Sequence, residues 1–261
     1  MKWIKRLLYF FGGGYLLLCG FLFFAQDALI FHPTALSPEH KYGNHEEEWI
    51  ELSDGVRLNA LRLRSSPSKG IILYLHGNVG SNGRSLYQTR AIADLGYDLF
   101  LVDYRGFGKS TGEIKEEEAM TNDLQVVYDR LKQDYAEEDI IVLGYSLGSG
   151  PASYLAAKNS PKAAVLVAPY RSLLAMKNEF FWMFPDWLMK YRLDNATHLA
   201  QASCPVVLLH GTADELIPFS MSTELATLDP GRIKLVKLPN VSHRGAIMNP
   251  RVAAEVRKLV E

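Results

Sequence analysis

Cysteine is scarce in this 261-residue chain: only Cys19 and Cys204 occur, so a disulfide framework and a four-ligand zinc-cysteine site are both excluded. The fold must hold without staples. An excess of charge of either sign is also lacking. Lys plus Arg number 28 against 29 Asp plus Glu, a formal net charge of -1, which removes the electrostatic case for nucleic acid or another polyanion as partner. Internal repeats and low-complexity tracts are absent. What remains is 48% hydrophobic and 22% charged, the profile of a globular chain able to bury a full core. The length permits one large α/β domain or two small ones.

One long apolar run stands out. Leu7 to Ala25 contains no charged residue, and as a helix it would extend about 28 Å, close to the hydrocarbon thickness of a bilayer. Lys2, Lys5 and Arg6 precede the run and Gln26 and Asp27 follow it. The positive-inside rule therefore places the N-terminus in the cytoplasm and the remainder across the membrane. A cleaved signal peptide, a lipoprotein signal at Cys19 and a soluble amphipathic helix compete with this reading. The run exceeds the usual signal core and ends in Phe23-Phe24-Ala25-Gln26-Asp27, without a small-x-small cleavage site. Leu16-Leu17-Leu18-Cys19 puts a bulky leucine where a lipoprotein signal needs a small residue, and Gly12-Gly13-Gly14 suits lipid better than a water-exposed helix. The expected organisation is an anchor over 1–28, a stalk over 29–48 that includes the solvated run Glu46-Glu47-Glu48, and a main folded domain over 49–261.

Beyond the stalk, short continuous apolar runs alternate with helical patterns, which predicts an α/β fold with a mostly parallel sheet covered on both faces. Strands are expected at Trp49 to Leu52, Val56 to Leu63, Ile71 to His76, Leu99 to Asp103, Ile140 to Gly144, Ala164 to Ala168, Val206 to His210 and Ile233 to Leu238. The first two, joined by Ser53-Asp54-Gly55, read as an antiparallel hairpin at one edge. Helices are expected around Ser81 to Leu95, Glu116 to Leu131, Leu147 to Lys158, Met221 to Leu228 and Arg251 to Val260. No strand pattern falls between Tyr170 and Ser203, a stretch dense in Phe180, Phe181, Trp182, Met183, Phe184, Trp187 and Tyr191. Such an insertion reads equally as a helix pair packed on the core and as a lid over an apolar pocket.

The chemistry is carried by Gly144-Tyr145-Ser146-Leu147-Gly148, a G-x-S-x-G sequence that follows the strand Ile140 to Leu143 and leads into a helical pattern. A serine hydroxyl is a poor nucleophile at neutral pH, so the reading requires a histidine base and an acid, following the serine in the order acid then histidine. His32, His40, His45 and His76 precede Ser146. Of the three that follow, His210 ends a predicted buried strand and His198 lies in the insertion, which leaves His243, in the loop after the last strand. Asp214 falls just past Val206 to His210, at a strand end like the other two. Asp186 and Asp194 are its rivals, both inside the insertion. Taken singly, Ser146 fits a tight turn, Asp214 a helix cap and His243 a loop residue; their order and strand-end placement are what join them. A tetrahedral intermediate also needs fixed donors, which the backbone N–H of Leu147 and that of Asn78, at the end of Leu73-Tyr74-Leu75-His76-Gly77-Asn78, are placed to supply. Gly108-Lys109-Ser110 is not a phosphate loop, because the first glycine of that motif would fall at Asp103. Gly77, Gly80 and Gly83 have the wrong spacing for a dinucleotide loop, so no nucleotide cofactor is expected.

With these residues in place, the sequence resembles the α/β-hydrolase superfamily, and more narrowly its membrane-anchored abhydrolase-domain serine hydrolases with an H-G-N oxyanion loop. The resemblance rests on LYLHGNVGSN (Leu73 to Asn82), DYRGFGKS (Asp103 to Ser110), GYSLGSG (Gly144 to Gly150), LLHGTADELIP (Leu208 to Pro218) and Ser242-His243. It implies a triad of Ser146, Asp214 and His243, an oxyanion hole at Asn78 and Leu147, and a short cap over about 170–203. It also implies a serine hydrolase acting on carboxylic esters or thioesters, without metal or organic cofactor, but the substrate does not carry over; the ring-rich insertion and the tether at Leu7 to Ala25 are what point to lipid-like acyl groups. Lysophospholipase-like, thioesterase and aminopeptidase-like members share these motifs, so amide or peptide hydrolysis stays open, as does a non-catalytic membrane-bound scaffold. Arg244-Gly245 after His243 departs from the smaller or acidic residues frequent there and bears on local specificity.

Overall fold

The computed structural model describes residues 2–261. The eight expected strand segments form one sheet: β1 (Glu46–Glu51), β2 (Arg57–Leu63), β3 (Ile71–Leu75), β4 (Asp98–Val102), β5 (Ile140–Tyr145), β6 (Ala163–Val167), β7 (Val206–Gly211) and β8 (Ile233–Leu238). Their spatial order is β8-β7-β6-β5-β3-β4-β2-β1. β2 runs antiparallel to both β1 and β4, and all other neighbours are parallel. The order reverses at β3, which lies between β4 and β5. Loops leaving the carboxyl ends of β3 and β5 therefore diverge around a crevice, where open α/β sheets place their ligands.

Burial on both faces explains why the central strands read as continuous apolar runs. Leu73, Leu75, Val142, Leu166 and Leu208 join one core cluster, with Leu124 and Val127 of α3 (Glu117–Leu131) and Leu155 of α4 (Ser149–Lys158). The alternate residues Ile72, Tyr74, Leu143, Val165 and Leu209 join a second, with Val252 and Val256 near the C-terminus. Three further helices carry parts of the site described below: α1 (Lys2–Ile30), α2 (Asn82–Thr89) and the cap helix α5 (Leu173–Phe181). α1 is the one helix among the described residues that is long and apolar enough to cross a membrane.

Three expectations are corrected. Glu46-Glu47-Glu48 is not a solvated run but the start of β1, because cross-strand and loop cations reach it: Glu46 pairs with Arg64, Glu47 with Lys109 and Glu48 with Arg62. The helix expected to reach Leu95 stops at Thr89, beyond which the chain tightens into a turn, with the Ile92 N–H donating to the Thr89 carbonyl. The segment before β1 is also more tightly held than a stalk. His32–Pro33 pairs in parallel with Val79–Gly80, and Phe31 and Tyr42 are buried.

The interval Tyr170 to Ser203 contains no strand, and its two readings apply to different parts of it. Leu188, Tyr191, Leu193 and Leu199 are buried, while Phe180, Phe181, Trp182, Met183 and Trp187 stay exposed.

Candidate active site

Ser146 follows β5 with φ of 53°, a left-handed conformation that an L-residue adopts only when its surroundings impose it. The surroundings here are two glycines. A Cβ on Gly144 would collide with the Gly148 carbonyl and the Ala152 side chain, and one on Gly148 would collide with the Leu75 and His76 carbonyls. Close approach at Gly148 thus seats the start of α4 directly on the end of β3. It brings Leu147 beside the His76-Gly77-Asn78 loop, and both Leu147 and Asn78 line the cavity next to Ser146. The loop is fixed from below by the Tyr104 hydroxyl, which donates to the His76 carbonyl at 2.7 Å. His76 itself is buried and stacked on Tyr104, a structural position.

The three residues singled out for nucleophile, acid and base meet. The Nε2 of His243 lies 2.9 Å from Ser146 Oγ, and its Nδ1 lies 2.8 Å from Asp214 Oδ2. The imidazole is oriented from two more directions: its backbone N–H donates to Glu215 at 3.0 Å, and the Tyr145 ring stacks on it at 5.5 Å. Asp214 accepts from the backbone N–H groups of Leu216 and Ile217 at 2.9 and 2.8 Å. Burial raises its carboxyl pKa, but hydrogen bonds from His210, His243 and the Ile217 N–H outweigh that and hold it well below the usual carboxylate range. It stays ionised, as an acid that stabilises an imidazolium must. The rivals are used elsewhere: Asp186 pairs with Lys177 at 2.7 Å, and Asp194 caps Asn195–Gln201 through the Thr197 N–H.

The sequence reading missed a residue here. His210 Nε2 lies 3.2 Å from Asp214 Oδ2 and 3.0 Å from the Ile217 carbonyl, while its Nδ1 lies 2.6 Å from the Ser222 hydroxyl. With Nε2 protonated it braces the same Asp214 oxygen that His243 contacts. The available signal was the i, i+4 spacing in His210-Gly211-Thr212-Ala213-Asp214.

A cavity of about 670 Å³ opens on this constellation, within the range typical of small-molecule sites. The cap contributes Leu173, Met176, Phe180, Phe181 and Phe184 to its wall. Trp182 is 75% exposed and is not in that wall. Arg84 and Arg244 line the cavity as exposed side chains, and among the described residues neither forms an ion pair.

Strand order, the strained serine after β5 and the acid and histidine following β7 and β8 are the features of the α/β-hydrolase fold, which this chain adopts. Residues 66–193 match the family described as serine aminopeptidase, S33. The chain is 30% identical over 185 residues to the lysophosphatidylserine lipase ABHD12 of Danio rerio, covering 62% of this chain and 47% of that protein. It is 30% identical over 192 residues to the human alpha/beta hydrolase domain-containing protein 17B, covering 69% and 64%. The chain thus spans about half the length of the lipase relatives it matches. Among solved structures, the esterase Pf2001 of Pyrococcus furiosus superposes with a TM-score of 0.68 at 19% identity, covering 88% of this chain and 98% of the esterase. Est1E of Butyrivibrio proteoclasticus, with ferulic acid bound, gives 0.65 at 21% identity, covering 81% and 96%. At these identities the two structures establish the fold.

Proposed function

We propose that the protein is a membrane-anchored serine hydrolase that cleaves carboxylic esters or thioesters of lipid-like acyl groups. The observation that carries this reading is the hydrogen-bonded chain Ser146–His243–Asp214 at the base of a large, mostly apolar cavity. In the mechanism it supports, His243 Nε2 takes the Ser146 proton as Oγ attacks the acyl carbonyl, and Asp214 stabilises the imidazolium that forms. The N–H groups of Asn78 and Leu147 receive the developing oxyanion. His243 returns the proton to the leaving alcohol or thiol, and water then releases the acyl group from Ser146 by the same steps. The names of the ABHD12 relatives support a lipid substrate. Arg84 and Arg244, unpaired at the cavity wall, suit an anionic headgroup.

The test is hydrolysis by the detergent-solubilised full chain on a panel of esters, thioesters and anilides, beside fluorophosphonate labelling. Ser146→Ala is expected to abolish both turnover and labelling without loss of fold, since one hydroxyl contributes little packing. Near wild-type turnover in the pure variant overturns the assignment of the nucleophile. Anilide cleavage without ester cleavage moves the protein to the amidases, and a folded, unlabelled wild type moves it to the scaffolds.

A further inference from the structure

We infer that α1 is more than an anchor: its C-terminal half is one wall of the acyl-binding cavity, and Leu18, Leu22 and Leu29 are residues that set acyl-chain length. This rests on the hydrolase reading above. Leu18, Leu22, Gln26, Leu29 and Ile30 line the same cavity as Ser146 and His243, facing Phe180, Phe181, Phe184 and Leu188 of the cap. Leu18 to Ile30 spans about 18 Å of helix, the scale of a long acyl chain. A tether that only held the enzyme at a membrane would need no fixed position against the body. α1 has one.

The attachments run along a single helical stripe. The Tyr15 hydroxyl donates to the Met183 carbonyl at 2.7 Å, and its ring stacks on Phe184 at 6.0 Å. Cys19, one turn on, is buried. Gln26 is 7% exposed and uses both ends of its amide on the cap backbone, donating to the Leu188 carbonyl at 2.7 Å and accepting from the Lys190 N–H at 3.0 Å. Burying an amide is costly unless both ends are bonded, so these bonds hold α1 in one rotational setting. Asp27 adds the Tyr191 hydroxyl at 2.9 Å and Lys190 at 3.2 Å. The helix end also reaches the catalytic loop: Asn78 Nδ2 donates to the Ile30 carbonyl at 2.9 Å, and the His32 N–H donates to the Asn78 carbonyl at 2.8 Å. The element that walls the acyl site thus also positions an oxyanion donor.

Two measurements on the full chain in detergent test this. In the first, Leu22→Trp and Leu18→Trp are compared with Leu17→Trp, whose leucine is 78% exposed and outside the cavity. The ratio of kcat/KM for 4-nitrophenyl dodecanoate over butanoate is expected to fall about tenfold or more in the first two, because several methylenes lose their place, and to stay at the wild-type value in the third. Equal ratios in all four proteins, or an equal fall in Leu17→Trp, overturn the inference. In the second, Ser146→Ala protein is photolysed with a long-chain fatty acid carrying a diazirine at its tail, which reads binding without turnover. Crosslinks within Leu18–Ile30 support the inference even if no ester is hydrolysed, in which case only the hydrolase reading fails. Crosslinks confined to the cap, with none in α1, overturn it.

Discussion

At the scale of single residues, Asp214 concentrates more of the design than its place in a loop suggests. Its carboxylate is shielded from solvent, yet it collects two backbone N–H groups and two imidazoles. Asp214→Asn is expected to lower kcat by up to about 10⁴, since an amide no longer fixes the tautomer of His243; steady-state kinetics on the best ester check this. The same contacts govern acid stability. The folded pKa lies below the unfolded value of about 3.9, so the carboxylate's contribution is complete above that pH and is lost as pH falls through the folded value. The asparagine variant should therefore be less stable at neutral pH, and its stability should fall less steeply below pH about 4, by at most about 1.4 kcal/mol per pH unit. Chemical unfolding at a series of pH values reads both. Arg84 and Arg244 carry a specificity prediction: the double alanine variant should lose about tenfold or more in kcat/KM on a monoacyl ester with a phosphodiester headgroup while losing little on a neutral glycerol ester. Equal losses on both would show that the guanidiniums position the loop rather than the headgroup. The convergence of Ser146, Asp214 and His243 was legible because chain order and strand ends limit the choices. His210 was not, because its contact with Asp214 exists only once the turn between them folds back onto the strand.

At the scale of elements, β1 shows how a charge run misleads. Three consecutive glutamates read as solvated because their partners lie 14 to 62 residues away: Arg62, Arg64 and Lys109. Arg62 is the pivotal member. Its side chain is 1% exposed, reaches Glu48 of β1 and Asp134, and lies over the Phe100 ring at 5.1 Å. Arg62→Ala would strand the mostly buried Glu48 and remove that packing, and is expected to cost about 3 kcal/mol. Urea unfolding measures it. A cost under about 1 kcal/mol would mean that β1 is held by its ladder to β2 rather than by its charges. The central strands raised no such difficulty, because burial on both faces leaves an apolar signature that needs no knowledge of partners. The cap is the opposite case: its composition announced exposed and buried rings together, but irregular spacing gave no way to separate Phe181, on the cavity, from Trp182, outside it.

At the scale of the whole molecule, α1 and its attachments determine where the body would sit if this helix crosses a bilayer. Hydropathy made the helix legible. Its docking was not, since the partners that fix Tyr15, Gln26 and Asp27 against the body come from residues 183–191, more than 160 positions away. If Leu7 to Ala25 occupies the hydrocarbon, Tyr15 lies about 15 Å inside the boundary at Ala25, and the Met183 carbonyl bonded to it shares that depth. The cap tip would then face lipid with Phe181, Trp182 and Met183, exposed by 55%, 75% and 48%. The polar Lys177 beside them is already paired with Asp186 and the Phe184 carbonyl. In a variant keeping Trp182 as its single tryptophan, reconstituted in vesicles, brominated acyl chains are expected to quench its fluorescence, and a Trp49-only variant should be unaffected. Lys2, Lys5 and Arg6 set the expected side: with the N-terminus cytoplasmic, the hydrolase body lies on the opposite face. Protease added to intact cells or spheroplasts should then digest the body, and reversing the three charges together by Lys2→Glu, Lys5→Glu and Arg6→Glu should reduce that accessibility. Protection in intact cells with quenching of Trp182 would keep the docked helix and reverse the orientation, whereas digestion without quenching would keep the orientation and lift the cap out of the lipid.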